Sequence, residues 1–216
     1  IQMNVPTLPL KPFEMVPTRT EFNEDKLNFD WQYLRNPIRD NYSLIEKKGH
    51  LRITASPYTL NDAEAVSMVC RRQTEHDFTA ATHLEFNSLN DNEEAGMTLI
   101  QNNTHHYDLL LKKSDKNRII QLRVRIGSLS YIAAEKVVDG NKVLLKIEGS
   151  PDQYSFYFAD PQKKEYIELG KQDTRYLSTE VAGGFTGVMI GLYASSNGKS
   201  SNAKAYFDWF DYQHGE

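Results

Sequence analysis

Carboxylates are the commonest side chains in this sequence with the chemistry for catalysis. Asp and Glu account for 29 of its 216 residues, so neighbouring acids such as Glu93-Glu94 and Asp208/Asp211 arise by number alone. Acid–base hydrolysis of a glycosidic bond needs two carboxylates held at a defined separation across a cleft. Neither pair stands in a motif that would set that separation, and no GxSxG, HExxH or phosphate-loop pattern occurs. We therefore predict no catalytic residue within this chain.

Histidines offer a second kind of chemistry, which is metal binding. Two of the six histidines are adjacent in the sequence, at His105-His106. Neighbouring residues of a β-strand point to opposite faces of the sheet, so this pair cannot chelate a single metal ion. We expect both side chains to be exposed histidines of a loop.

Asp208 is the candidate metal ligand. It lies in the closing run AYFDWFDY (205–212), which alternates in the manner of a strand. The two faces would hold Tyr206, Asp208, Phe210 and Tyr212 on one side and Phe207, Trp209 and Asp211 on the other. A carboxylate on an aromatic face is costly unless it has partners. We predict either a hydrogen-bonded anchor or a ligand of a structural calcium ion completed by a neighbouring loop, and no other cofactor.

Aromatic side chains are numerous enough to suggest carbohydrate binding. The sequence has 12 Tyr, 10 Phe and 2 Trp residues. The C–H faces of a sugar pack against aromatic rings, and Tyr107, Tyr131 and Tyr157 lie in strand-like segments that could line a concave sheet. Most aromatic residues of a β-sandwich fill its core instead, and this alternative applies to each of the three.

The stretch GGFTG (183–187) places one aromatic ring, Phe185, among three glycines. Glycine tolerates positive φ angles, so Gly183, Gly184 and Gly187 permit a sharp loop just before an apolar strand. A large ring at the tip of such a loop can cover a bound ligand and exclude water. The alternative is that Phe185 fills the interior of its own domain.

Short strands separated by turns account for most of the chain. Runs with period-two alternation or β-branched and aromatic enrichment predict strands near 42–46, 50–54, 67–73, 78–86, 95–101, 107–112, 119–126, 143–148, 154–158, 188–194 and 203–212. Turn signals such as Lys48-Gly49, Asp139-Gly140-Asn141 and Asp160-Pro161 separate them. No long amphipathic helix intervenes. The pattern predicts an all-β fold, a two-sheet antiparallel β-sandwich of the jelly-roll kind.

The first 20 residues differ from the rest. Prolines at positions 6, 9, 12 and 17 exclude a helix or a central strand there. We predict a proline-rich strap or linker over 1–20 and a β-sandwich domain over 21–216.

Composition excludes several classes of partner. The net charge is −4 and the pI is about 5.9, without the clustered basic face that nucleic-acid binding needs. No apolar run reaches the ~18 residues of a membrane helix. The single cysteine, Cys70, excludes an internal disulfide, and we predict that it is a buried structural thiol. We expect a soluble domain and leave cytoplasmic and exported locations open.

Several stretches together resemble a known family. They are FNEDKLNFDWQYLRNP (22–37), Arg71-Arg72-Gln73, Ala95-Gly96 with the later Tyr107, GFTG (184–187) and FDWFDY (207–212). In this order they are similar to the C-terminal β-sandwich domain of the β-xylosidases of glycoside hydrolase family 43, which has a concanavalin-A-like jelly-roll fold. The family often has a Gln-Asp pair after the strand that ends in Gly191-Leu192, where this chain has Ala194-Ser195-Ser196-Asn197-Gly198.

The resemblance implies a function shared with another domain. In that family the catalytic acids lie on a five-bladed propeller that precedes the sandwich, and the proline-rich strap resembles the connection between the two. The phenylalanine of the GxFTG loop, here Phe185, helps to enclose the propeller's substrate pocket. The implied partners are a glycoside hydrolase propeller and an oligosaccharide, and the implied reaction is hydrolysis of terminal sugars of xylan-type glycans.

Two other functions fit the same residues. A free-standing carbohydrate-binding module would grip a glycan on one sheet without a catalytic partner. A purely structural domain at a subunit interface is the third alternative, since β-sandwiches often serve that role.

Overall fold

The computed structural model describes residues 18–184 and 187–215. Over these residues the chain forms two antiparallel β-sheets packed face to face. The strands are β1 (Arg19–Thr20), β2 (Gln32–Tyr33), β3 (Tyr42–Ser43), β4 (Leu51–Thr54), β5 (Met68–Arg72), β6 (Phe78–Phe86), β7 (Glu94–Asn102), β8 (His105–Ser114), β9 (Asn117–Ile126), β10 (Leu129–Val138), β11 (Lys142–Gly149), β12 (Gln153–Ala159), β13 (Ile167–Asp173), β14 (Met189–Ser195) and β15 (Lys204–His214). A four-residue helix, α1 (Thr179–Ala182), precedes β14, and 3₁₀ turns occupy Arg39–Asn41 and Thr174–Leu177.

Strand order defines the two layers. Sheet A has the order β13-β12-β11-β6-β15-β4-β3, with β1 paired to β15, and sheet B has the order β10-β9-β8-β7-β14-β5-β2. The predicted two-sheet antiparallel sandwich is therefore confirmed. Strand pairing starts at Arg19, inside the last two residues of the predicted strap, whereas residues 1–17 lie outside the described ones. No helix in the described part of the chain is long and apolar enough to cross a membrane.

Period-two alternation explains why these segments become half-buried strands. In β6, Phe78, Ala80, Thr82, Leu84 and Phe86 all face the interior and are buried, as their spacing predicts. Equivalent positions of the other central strands meet them to form one apolar core between the sheets. Each large side chain sealed there stabilises the fold by about 1.5–3 kcal/mol.

The closing strand departs from the predicted alternation. β15 has a bulge between Phe207 and Phe210 in its pairing with β6, so both rings enter the core although they are three residues apart. An inserted residue shifts the face of every residue that follows it. The Thr82 hydroxyl donates to the carbonyl of Trp209 at 2.5 Å, which satisfies a backbone acceptor within the bulge. The prediction of strict alternation was therefore wrong beyond Phe207.

Sheet B is also covered on its outer face. Leu60 and Val66, from the segment between β4 and β5, pack with Met68, Leu110 and Tyr193 in a second, smaller apolar cluster. Cys70 belongs to this cluster, and burial raises the pKa of its thiol to about 12. The predicted buried structural thiol is confirmed.

His105 and His106 are buried at the start of β8, so the expectation of exposed loop histidines was wrong. The reason is the covering segment, because Asn61 brings its side-chain oxygen to within 3.2 Å of His106 Nε2. On the other side of the ring, His106 Nδ1 lies 2.9 Å from Asp108 Oδ1.

A buried ionic network lies beneath the same segment. Arg123 Nε donates to Asp108 at 2.9 Å, and its two terminal nitrogens donate to Glu94 at 3.0 and 2.8 Å. Thr98 adds a hydroxyl hydrogen bond to Asp108 at 2.7 Å. Burial alone would raise the pKa of Asp108, but the charges of His106 and Arg123 and the hydrogen bonds outweigh burial and hold the pKa well below its usual value.

Asp108→Asn should lower the free energy of unfolding at pH 7 by about 3–5 kcal/mol, because it removes one of the two carboxylates that pair with the Arg123 guanidinium inside the network. The folded-state pKa of Asp108 is depressed, so this stabilisation is present above the unfolded pKa of about 3.9 and is lost as the pH falls below it. Urea denaturation at pH 7 and at pH 3 would measure both effects.

Asp91→Asn is the matched control, since the Asp91–Lys113 pair is exposed and 3.8 Å apart. It should change stability by less than about 1 kcal/mol. Equal effects of the two substitutions would contradict a structural role for the buried network.

Candidate functional site

One end of the sandwich collects the connections that flank the GGFTG stretch, and we call it the loop end. Its described connections are 73–77, 103–104, 127–128, 150–152, 174–184 and 187–188. Side chains tie the two sheets together there. Tyr154 of β12 donates to Gln73 Oε1 at 2.8 Å, and Tyr107 of β8 donates to the Asp173 carbonyl at 2.9 Å.

A cleft of about 760 Å³ opens at the loop end. Its size falls within the roughly 300–1,000 Å³ of small-ligand sites. Its polar lining consists chiefly of Gln73, His76, Gln101, Asp152, Arg175 and Glu180. A hydrogen bond from its own backbone N–H, followed by one from Ser178, lowers the pKa of Glu180. The cleft therefore presents hydrogen-bonding groups and charges of both signs, which suit a neutral polyhydroxylated ligand or a polar protein surface.

The glycines next to the cleft adopt the conformations that their sequence predicts. Helix α1 ends where Gly183 N–H bonds to the Thr179 carbonyl at 3.0 Å, and Gly183 has φ +76°. Gly184 and Gly187 follow with φ +83° and +73°, which L-residues with a side chain rarely adopt. Phe185 lies outside the described residues, so its placement over a substrate stays a prediction.

Both sides of this stretch are fastened to sheet B. Asn102 Nδ2 donates to the Ala182 carbonyl at 2.9 Å, and Gln101 Nε2 donates to the Gly183 carbonyl at 3.4 Å. After the glycines, the backbone N–H of Gln73 donates to the Val188 carbonyl at 3.0 Å. The structure thus holds the two ends of GGFTG in place at the loop end.

Tyr107 is not a surface residue. Its side chain is fully buried between the sheets, with its ring 6.3 Å from Tyr154 and 6.2 Å from Phe156, each close to edge-to-face. Burial raises the pKa of its hydroxyl. The structure therefore does not support a sugar contact at Tyr107, because no ligand can reach its ring.

The other two predicted tyrosines lie on separate surfaces. Tyr131 is exposed on β10, the edge strand of sheet B, and its hydroxyl donates to Gln172 at 3.4 Å. Tyr157 lies on the outer face of sheet A, where Lys146 Nζ is 4.3 Å from the ring centre. The three tyrosines do not form one platform, and sugar contacts at Tyr131 and Tyr157 stay predictions.

Asp208 lies on the outer face of sheet A rather than at the loop end. His83 Nδ1 is 3.1 Å from one of its carboxylate oxygens, and His50 Nε2 is 3.9 Å from the other. Within residues 18–184 and 187–215, no group of three or more His, Cys, Asp and Glu side chains is arranged to hold a metal ion. The calcium assignment of Asp208 stays a prediction.

Sequence reasoning missed the residues that position the glycine stretch. Asn102 and Gln101 come at the end of β7, in the run Gln101-Asn102-Asn103-Thr104. The signal was an asparagine-rich turn, where side chains cap backbone groups. The carbonyls that accept from Gln101 and Asn102 lie about eighty residues further along the chain, so no local pattern indicates these hydrogen bonds.

Comparison with known protein families shows to which class of domain this chain belongs. Residues 19–213 match the family model of the β-xylosidase C-terminal concanavalin A-like domain, GH43_C2. The chain belongs to this family of β-sandwich domains.

Particular relatives are glycosidases. The chain is 36% identical to the non-reducing end α-L-arabinofuranosidase BoGH43B of Bacteroides ovatus, over 96% of this chain and 39% of that protein. It is 31% identical to a xylosidase/arabinosidase of Butyrivibrio fibrisolvens, over 97% of this chain and 40% of that protein. The chain thus spans about two fifths of the length of these curated relatives.

Solved structures agree with this assignment. A Bacteroides ovatus structure, Xyloglucan PUL GH43B, superposes with a TM-score of 0.92 at 33% identity, over 97% of this chain and 42% of that one. The xylan β-1,4-xylosidase of Bacillus halodurans C-125 superposes with a TM-score of 0.90 at 25% identity, over 97% of this chain and 41% of that one.

Asn102→Asp should loosen the glycine stretch without undoing the β7–β8 turn. The substitution keeps the oxygen that accepts from Thr104 but removes the N–H₂ group that donates to Ala182. Losing one such hydrogen bond costs about 1 kcal/mol, so we expect the Gly183 amide to exchange about fivefold faster with solvent. Amide hydrogen exchange followed by NMR would measure this change.

Asn103→Asp is the matched control, since Asn103 donates to the Asn61 carbonyl instead. Unchanged hydrogen exchange of the Gly183 amide in Asn102→Asp would show that the Asn102 side chain does not hold the glycine stretch.

Proposed function

We propose that this chain is the accessory C-terminal sandwich of a β-xylosidase/α-L-arabinofuranosidase of glycoside hydrolase family 43. In this role it completes the active site of a separate propeller domain that carries the catalytic acids. The observation that carries the proposal is the GGFTG stretch, whose flanking glycines have positive φ angles and whose two ends are fastened to sheet B at the loop end. The relatives are longer than this chain and are named as an arabinofuranosidase and a xylosidase/arabinosidase. Their names support xylose and arabinose as the sugars that are removed.

Phe185 would act as a lid rather than as a chemical group. A ring held over a terminal sugar excludes water and closes one side of the pocket, which suits removal of a single terminal sugar. Fixed ends matter here, because a loop whose two ends are held has less conformational entropy to lose when it closes over a ligand.

The direction of the chain also favours a partner at the loop end. β1 runs antiparallel to β15, with Arg19 opposite Asp211, and β15 reaches the loop end at His214, opposite Phe78. The Thr18 carbonyl accepts from Tyr212 N–H at 2.9 Å, so the first described residue lies on that side of β1. The described part of the chain therefore enters the sandwich from the loop end.

A free-standing carbohydrate-binding module is the alternative. On the outer face of sheet A, Lys146 Nζ lies 4.3 Å from the Tyr157 ring and 4.5 Å from the Tyr166 ring. Two neighbouring rings beside a hydrogen-bond donor offer a glycan both a stacking surface and a polar contact. Calorimetric binding of xylo-oligosaccharides to the 216-residue chain, abolished by Tyr157→Ala, would favour this module.

Phe185→Ala in the complete polypeptide should lower kcat/KM on aryl β-xylosides or aryl α-L-arabinofuranosides by roughly ten- to a hundredfold. The reason is that removing one apolar contact from a sugar pocket costs about 1–3 kcal/mol. Steady-state kinetics on both substrates would measure the loss. Phe185→Tyr keeps the ring and should retain most of the activity.

The urea midpoint of Phe185→Ala should match that of the unsubstituted protein, since a lid contributes little to its own core. Full activity combined with strong destabilisation would instead assign Phe185 to the interior of the sandwich and refute the lid.

A further inference from the structure

Phe29 is a second aromatic side chain that packing within the sandwich leaves unexplained. Its ring is fully exposed, at 104% of the reference area. Single exposed apolar residues are ordinary on protein surfaces. Phe29 differs from them in the rigidity and the position of the turn that carries it.

The turn around Phe29 is held on both sides. Asp30 N–H donates to Asn28 Oδ1 at 3.2 Å, and Trp31 N–H donates to the Asn28 carbonyl at 3.2 Å. The Asp30 carboxylate also pairs with Arg71 at 3.3 Å. The side chain of the next residue, Trp31, is buried, with its ring 5.0 Å from that of Phe210 in the core. Phe29 is therefore presented on an ordered frame, which lowers the entropic cost of inserting it into a partner.

The same turn lies next to the loop end. β2 pairs antiparallel with β5, with Gln32 opposite Cys70, so residues that precede Gln32 advance towards Arg71 and Arg72. Arg72 in turn neighbours the glycine stretch, because a Cβ built on Gly187 would lie 3.4 Å from its Nη1 atom. The turn that carries Phe29 is thus linked to Gly187 through Arg71 and Arg72, at the edge of the sandwich that adjoins the loop end.

Two further apolar side chains are exposed at the loop end. Leu129, just after the β9–β10 turn, is 68% exposed, and Val181 of α1 is 47% exposed. None of the three side chains lines the polar cleft, and Phe29 lies beside a separate cleft that Leu27, Trp31 and Leu44 line. Exposed apolar groups within a polar surface are typical of protein–protein contacts, and large aromatic side chains dominate the energetics of such contacts.

We infer that Phe29 is an anchor residue that inserts into the surface of the preceding catalytic domain. This inference rests on the proposed function and extends it to a contact that fixes how the two domains dock. Three observations favour the catalytic domain as the docking partner. The described chain enters the sandwich from the loop end, the family model is that of a C-terminal domain, and the relatives are more than twice the length of this chain.

The test uses the complete polypeptide with a specific protease site inserted within residues 1–17 and cut after folding. The two halves should stay associated, and their dissociation constant can be measured by dilution and sedimentation. Phe29→Ala should weaken that association about tenfold or more, as expected for an interface anchor. Leu89→Ala is the matched control, because Leu89 is 70% exposed in the β6–β7 connection at the opposite end, and it should have no effect.

Turnover measured on the uncut protein tests the proposed function independently of the Phe29 contact. Covalent linkage keeps the domains at an effective concentration of about millimolar, so uncut Phe29→Ala should keep near-normal turnover. Unchanged association in Phe29→Ala, with reduced turnover in Phe185→Ala, would overturn the anchor and leave the proposed function intact. Normal turnover in Phe185→Ala, with halves that separate at micromolar concentration, would overturn both.

Two outcomes would show that Phe29 contacts something other than the catalytic domain. If the uncut protein sediments as a dimer and Phe29→Ala makes it a monomer, the residue contacts a second copy and the inference fails. If Phe29→Ala abolishes xylo-oligosaccharide binding but not association of the halves, the residue contacts sugar and the inference fails. Because the ring is fully exposed, the urea midpoint should not change, which excludes misfolding as the cause of weaker association.

Discussion

The apolar interior between the two sheets is the constraint on which the other features depend. Alternating side chains from β6, β11, β12 and β15 meet those from β7, β8, β9 and β14, and polar backbone groups pair within each sheet. This arrangement confines the irregular segments to the ends and edges of the sandwich. Tyr107 links the interior to the loop end directly, because its ring is buried in the core and its hydroxyl holds the Asp173 carbonyl just before the 3₁₀ turn that leads to α1. Core packing therefore positions the candidate site.

Sheet B is the layer of the sandwich whose central strands are covered on both faces. A second apolar cluster and a buried ionic network cover its outer face, so its central strands are buried on both sides. The residues that fasten the glycine stretch, Gln101 and Asn102, extend from one of these strands. An aromatic side chain can serve as a lid only if its loop returns to one position, and attachment to a doubly covered sheet fixes the residues on either side of that loop. The same physical features that stabilise the fold thus support the proposed function.

The sequence was sufficient for the architecture and for part of the site. Period-two alternation identified the central strands, and the glycines at 183, 184 and 187 have the predicted positive φ angles. β10 had no such signal, because it is an edge strand exposed along most of its length. The bulge in β15 was not predictable either, since one inserted residue leaves no mark in composition. His106 was misjudged because the local pattern shows that faces alternate but not which remote segment covers them. For Tyr107 the structure favours the core alternative, since its ring packs between the sheets.

The most direct measurement is a crystal structure of the complete polypeptide with xylose or arabinose bound in its catalytic domain. A lid function requires the Phe185 ring to lie within about 4.5 Å of carbon atoms of the sugar, with the loop end of the sandwich against the catalytic domain. A Phe185 ring packed among the side chains of the sandwich's own core, or a loop end open to solvent, would contradict it.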